Sequence, residues 1–247
     1  MSVLRFRKTL PLVALIGAFH LLSPAPVGAD QSDAAVFDIS IRGISAATLS
    51  ISGATKGKSY AASGVLKSSG ILGMVKRIRY DAAVNGSLSK GRFTPSRYVE
   101  KADTGKRRSE AVMAYRQGVP QVKSYSPPRP PAKGDIDPAS QGGTVDPLTA
   151  LYAVLRDVPV AEACRLKVFL FDGRRRSQVV LSAPKSGGDT IICQGEYRRL
   201  EGFSPEDMAE KSHFPFTLTY APAADGMVHV TEISLDTLYG KGRMIRR

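Results

Sequence analysis

The chain has 247 residues, with 35 lysines and arginines against 22 acidic residues and a formal net charge of +13. With two cysteines and three histidines, it offers little material for a metal centre built on clustered Cys and His. So basic a surface selects for anionic partners such as lipid headgroups, lipopolysaccharide phosphates or acidic glycans.

Residues 1–29 read as a secretory signal peptide. Arg5, Arg7 and Lys8 form a positive start, Leu10 to Leu22 an apolar run, and Val27-Gly28-Ala29 a cleavage site before Asp30. The run is shorter than the roughly 20 apolar residues of a permanent span. No cysteine lies near the cleavage site to carry a lipid. The expected address is an oxidising space outside the cytoplasm, with a soluble protein after cleavage. Losing the three cations of the leader takes the net charge from +13 to +10. An exported protein has little occasion to meet nucleic acid, which is not expected as a partner.

From Val36 onward the pattern is alternation. Phe37, Ile39 and Ile41 share one face, with Asp38, Ser40 and Arg42 on the other; Leu49 and Ile51 repeat it, and so do Ile78, Tyr80, Ala82 and Val84. Such period-2 stretches are half-buried antiparallel strands. Strands are also predicted over Ser59–Leu66, Phe93–Lys101 and Arg108–Tyr115. Asn85-Gly86 is read as a tight hairpin turn. Ile71, Leu72 and Val75 suggest one helical turn between strands.

Ser126 to Gly143 is rich in proline and glycine and poor in apolar bulk, which marks a crossover. Residues 30–247 are expected to form a single β-rich domain joined through it. Asp146-Pro147 is then a helix start, an N-cap followed by proline at the first helical position. Leu148, Leu151, Tyr152 and Leu155 follow at i, i+3, i+4 and i+7, one apolar stripe expected to line a ligand site or to join the core.

Further strands are predicted over Leu166–Phe171, Gln178–Ser182, Thr190–Arg199 and Phe216–Tyr220, with turns at Asp172-Gly173 and Ala224-Asp225-Gly226. Ser204-Pro205 opens a short helix ending near Lys211. In Met227–Leu238 the apolar parity changes between Val230 and Ile233, which implies a β-bulge near Thr231-Glu232 or a strand crossing between two buried surfaces. Cys164 and Cys193, an even count in an oxidising compartment, read as one structural disulfide. The loop of about 30 residues that it closes corresponds to roughly 3.5 kcal/mol in the chain-entropy model. Metal ligation and redox catalysis are the alternatives, and no Cys-x-x-Cys supports either.

A catalytic constellation is not evident. His213 lies in a turn and His229 on a predicted strand, without the motif context of a nucleophile and its base. No metal and no cofactor is expected. Three cationic clusters remain: Lys106-Arg107-Arg108; Arg174-Arg175-Arg176; and Lys241, Arg243, Arg246 and Arg247. Arg174, Arg175 and Arg176, beside a turn, form the candidate anion-binding group, because arginine makes bidentate contacts with phosphate and carboxylate.

Several strings taken in order carry a family resemblance: Ser69-Gly70-Ile71-Leu72-Gly73-Met74; Phe93-Thr94-Pro95-Ser96-Arg97-Tyr98; Asp146-Pro147-Leu148-Thr149-Ala150-Leu151; Val168-Phe169-Leu170-Phe171-Asp172-Gly173-Arg174-Arg175; Cys193 with Tyr197 and Gly202; Phe214-Pro215-Phe216; and Tyr239-Gly240. Together they resemble the domain of unknown function 3108 family of exported proteobacterial proteins. The resemblance implies a Gram-negative periplasm and kinship with β-spiral or half-barrel proteins of envelope maintenance. It brings no reaction and no catalytic residue.

The expected fold is mainly β, a long antiparallel sheet curled into a β-spiral or half-barrel, with one or two short helices on its concave face. The expected function is a non-enzymatic protein of the cell envelope binding an acyl chain, a lipid or a hydrophobic partner segment in that face. Lipid, lipopolysaccharide or an envelope protein are the expected partners, with peripheral membrane contact. An enzyme acting on an envelope polymer and a ligand-free scaffold are the alternatives.

Overall fold

The computed structural model describes residues 30–132 and 134–247. The expected signal peptide lies outside the described residues. Fourteen strands form one sheet: β1 (Gln31–Ile41), β2 (Ile44–Lys56), β3 (Ser59–Ser68), β4 (Arg79–Ser89), β5 (Arg92–Asp103), β6 (Arg108–Arg116), β7 (Val119–Ser126), β8 (Val158–Pro159), β9 (Leu166–Phe171), β10 (Arg176–Gly187), β11 (Thr190–Glu201), β12 (His213–Pro222), β13 (Met227–Thr237) and β14 (Gly240–Arg246). Three short helices accompany them: α1 (Gly70–Val75), α2 (Pro147–Leu155) and α3 (Pro205–Glu210).

Neighbouring strands run β7-β6-β5-β4-β3-β2-β1-β14-β13-β12-β11-β10-β9, with β8 beside β13. Every one of these ladders is antiparallel. The first and last strands therefore meet mid-sheet, with Phe37 opposite Arg246 and Ile41 opposite Gly242. The sheet curls until it is nearly closed into a barrel, with β7 and β9 as the unpaired edges of a seam. The curl goes further than a half-barrel, and the described residues hold three helices; α1 and α3 sit in strand connections.

The core lies between the sheet and α2. Phe37, Leu49, Ile51, Tyr60, Val84, Tyr98, Phe171, Leu218 and Val230 are buried sheet residues, all but Phe171 on strands flanked on both sides. Of the expected stripe, Leu148, Tyr152 and Leu155 are buried and Leu151 is half-buried. Thr149, Ala150, Ala153 and Val154 on the other faces of α2 are buried too. The helix is thus enclosed rather than laid on a surface, as expected of an element apolar nearly all round. Two glycines make room for it. A Cβ on Gly53 would collide with the Tyr152 ring, and one on Gly64 would lie 2.9 Å from Leu148 Cδ1.

Cys164 and Cys193 are bonded, with α-carbons 5.2 Å apart, tying the residues before β9 to β11. The bond fits an oxidising location. The parity change in β13 is a bulge, since Glu232 pairs with Thr219 and Val230 with Tyr220, leaving Thr231 unpaired. One turn is misplaced in the sequence reading. Asn85-Gly86 is not a hairpin tip but lies inside β4, where the register with β5 shifts. Gly86 is there because Tyr60 and the backbone of Thr94 and Pro95 press against it. The hairpin tip is Lys90-Gly91, both with positive φ.

Candidate functional site

The seam is where the sheet's own hydrogen bonding stops, and the crossover occupies it. Gly143 N–H donates to Gly118 O at 2.9 Å, beside β7. Val145 N–H donates to Phe169 O at 2.9 Å and its carbonyl accepts from Phe171 N–H at 2.8 Å, a short parallel bridge to β9. Ile136 N–H donates to Arg174 O at 3.2 Å, and Asp135 is ion-paired with the Arg174 guanidinium. A proline-rich segment suits this place, because it needs few donors and has no full ladder to join.

The crossover then turns inward at Asp146. This carboxylate is fully buried and caps α2, accepting from Thr149 N–H at 2.9 Å and from the Thr149 hydroxyl at 2.6 Å. Because that hydroxyl is already donating, the Tyr60 hydroxyl, 2.8 Å away, donates to it. Burial outweighs these bonds and pushes the Asp146 carboxyl up to about 6. At the other end of α2 the Tyr152 hydroxyl donates to Asp33 at 2.6 Å. Asp157, just beyond the helix, accepts from Gln31 through its carbonyl and from Arg246 through its carboxylate.

Where crossover, β5–β7 and the β9–β10 turn meet, a cleft of about 560 Å³ opens. Tyr98, Met113 and Pro147 lie on its inner side, with Arg107, Tyr125, Arg129, Arg174 and Arg175 among its walls. The buried Tyr98 hydroxyl donates to Glu100 at 2.7 Å, and burial, with the Glu100 charge beside it, holds the phenol far above its usual range. Asp172 accepts from the backbone N–H groups of Arg174 and Arg175 at 2.9 and 2.8 Å, which fixes the turn. Tyr125 donates to Gly173 O at 3.3 Å. Arg129 lies over the Tyr125 ring, 5.3 Å from its centroid, and its buried Nη2 has no partner among the described residues. Four arginines thus face Glu100, Glu110 and Asp172, all three of which are engaged locally: Glu100 by Tyr98, Glu110 by Lys101 at 3.7 Å, Asp172 by the turn. The set can hold a small anion or headgroup. Histidine and cysteine are both missing from its lining.

The expected Arg174-Arg175-Arg176 group is divided. Arg174 and Arg175 line the cleft; Arg176 begins β10, stacks over Phe169 at 4.8 Å and faces Glu201 at 4.0 Å. The C-terminal cations are not a free cluster. Lys241 pairs with Asp236, Arg243 with Glu232, Arg246 with Asp157 and Arg247 with Asp38. His213 is exposed, with Nδ1 2.9 Å from the Ser212 hydroxyl, and His229 is half-buried on β13, opposite Ala221. The sequence reading missed Arg129, Tyr98 and Tyr125. The available signal for Arg129 was a lone cation inside Pro127-Pro128-Arg129-Pro130, where a solvated linker has no need of one.

Comparison with known proteins adds the following. A family model described as protein of unknown function (DUF3108) matches residues 36–228. No curated protein matches the chain. Among solved structures, a β-barrel-like protein of domain of unknown function DUF1849 from Brucella abortus is similar, at 14% identity and a TM-score of 0.47, over 87% of this chain and 95% of that one.

Proposed function

The chain belongs to the DUF3108 family of proteins of unknown function, and on that premise we propose that it is a non-enzymatic protein of the cell envelope, acting in the periplasm, that binds the anionic head of a lipid-like ligand in the seam cleft. The observation that carries this reading is the unpartnered, buried Nη2 of Arg129 in a cleft it shares with Arg107, Arg174 and Arg175. A buried guanidinium donor without an acceptor costs free energy, and a phosphate or carboxylate would satisfy it. A volume of about 560 Å³ is in the range of small-molecule sites. Because α2 fills the concave face, an acyl chain would run from the cleft along the seam rather than through the interior.

Titration with dihexanoyl phosphatidic acid, inorganic phosphate and a neutral dihexanoyl glyceride tests this. The first should bind, and Arg129→Ser should weaken it about tenfold, the scale of a charged hydrogen bond. Binding of the neutral glyceride alone would move the site to an apolar surface. No binding of any probe would favour the ligand-free scaffold, a reading supported by the filled interior.

A further inference from the structure

One end of the barrel carries a different kind of surface. Strand direction places the β1–β2, β3–β4, β5–β6 and β13–β14 connections there together. They touch in sequence around the rim. Arg42 N–H donates to Lys241 O at 2.8 Å, Ser69 N–H donates to Ala46 O at 3.0 Å, and a Cβ on Gly105 would lie 3.1 Å from the Arg77 carbonyl.

Large apolar side chains stand out from this rim. Met74 is 80% exposed, Val75 82%, Tyr239 72% and Ile44 52%. Helix α1, which carries two of them, has the sequence GILGMV, without a charge. Exposed cations flank them: Arg42, Lys76, Arg77 and Lys106 make no ion pair among the described residues. The neighbouring acids are already taken, Asp81 by Arg79, Asp103 by Arg108 and Asp236 by Lys241.

We propose that this rim docks the protein onto an anionic lipid bilayer, with Met74, Val75, Ile44 and Tyr239 entering the interface and Arg42, Lys76, Arg77 and Lys106 meeting the headgroups. Apolar tips backed by unpaired cations are the pattern that adds burial in the acyl boundary to attraction by anionic lipid. A tyrosine at the edge suits the headgroup depth. A soluble protein partner would more simply be met by a continuous face; here the apolar groups project from separate connections at one end, as a planar bilayer requires. The inference goes beyond the cleft reading and stands without it.

Co-sedimentation with vesicles of phosphatidylglycerol and phosphatidylethanolamine, against phosphatidylcholine alone, tests it. Wild type should bind the anionic vesicles and lose most binding in 0.5 M salt, where the Debye length shrinks to about 4 Å. Met74→Asp with Val75→Asp should reduce binding about tenfold, and Lys76→Ser with Arg77→Ser should reduce it on anionic vesicles only. Both pairs are exposed, and unchanged circular dichroism confirms that the fold is intact. Met74→Asp with Val75→Asp should leave the binding of dihexanoyl phosphatidic acid in the cleft unaltered, which separates this result from that of the cleft. Equal binding by wild type and both double variants overturns the proposal, as does equal binding to the two vesicle types. A dimer in size exclusion that Met74→Asp with Val75→Asp dissolves would assign the patch to a second copy instead.

Discussion

The interior around α2 and the seam between β7 and β9 solve the same problem in opposite ways. Inside, the chain excludes water. α2 is enclosed by sheet, its glycine-made seats on β2 and β3 admit Tyr152 and Leu148, and its buried polar groups close on one another through Tyr60, Thr149 and Asp146. At the seam the ladder ends, and proline-rich backbone, a few hydrogen bonds and one ion pair stand in for a strand. Side chains freed from strand packing can there point several arginines into one cleft. Fold stability belongs to the first region and the cleft proposed for recognition to the second, because a continuous ladder leaves no room for a site.

The largest effect that would sharpen this contrast is in the interior. Leu155→Ala should cost about 2–5 kcal/mol, as fully buried leucines do. Leu151→Ala, at the half-buried position, should cost clearly less in urea denaturation. Small losses at both positions would mean that α2 is a surface helix after all.

Next comes the buried acid. The folded protein holds the Asp146 proton up to about pH 6, whereas the unfolded chain releases it near 3.8. The native state therefore binds more protons between these values, and stability falls as pH rises through that window. The fall should be on the order of 3 kcal/mol for a shift of this size. Asp146→Asn keeps a capping residue and removes the titration. The difference between wild type and variant should carry the slope, since exposed Asp38 and half-buried Asp103, whose carboxyls are lowered mainly by the Arg247 contact and by the Gly105 N–H respectively, tilt both proteins alike. Parallel pH profiles would remove Asp146 from the account.

The smallest effect should be at the seam. Arg174→Ala breaks the pair with Asp135, whose side chains are 26% and 24% exposed. Its global cost should not exceed about 1 kcal/mol. Hydrogen exchange should nevertheless quicken at Gly143, Val145 and Phe171 while the β1–β14 amides stay protected. A uniform loss of protection would make the seam part of the cooperative core.

Period-2 alternation made most of the strands legible, because one face of each contributes to the core. The Asp146-Pro147 and Ser204-Pro205 starts located α2 and α3 through their caps, and the bulge at Thr231 showed in the shift between Val230 and Ile233. Three strands escaped, one of them the two-residue β8. β7 (VPQVKSYS) has a proline and little apolar content, as an edge permits. β14 (GKGRMIR) is central but is held by cross-strand charge, Arg243 to Glu232, and a chain-end pair, Arg247 to Asp38, so its cations read as a loose terminal cluster. The cleft was half legible. Arg174 and Arg175 could be read beside their turn, but the approach of Arg129, Tyr98 and Arg107 is a product of the curl, and no local pattern encodes it.

The pairing of β1 with β14 has a consequence in time. The first described strand has β2 on one side at once, but its other neighbour, β14, follows every other strand of the sheet in chain order. The sheet is therefore assembled from both flanks toward a central gap that only residues 240–246 can fill. Until they arrive, β1 and β13 present bare edges in mid-sheet, the kind of exposed template on which other chains add strands. Removing residues 240–246 would take away little mass and yet split the sheet down the middle, between β1 and β13.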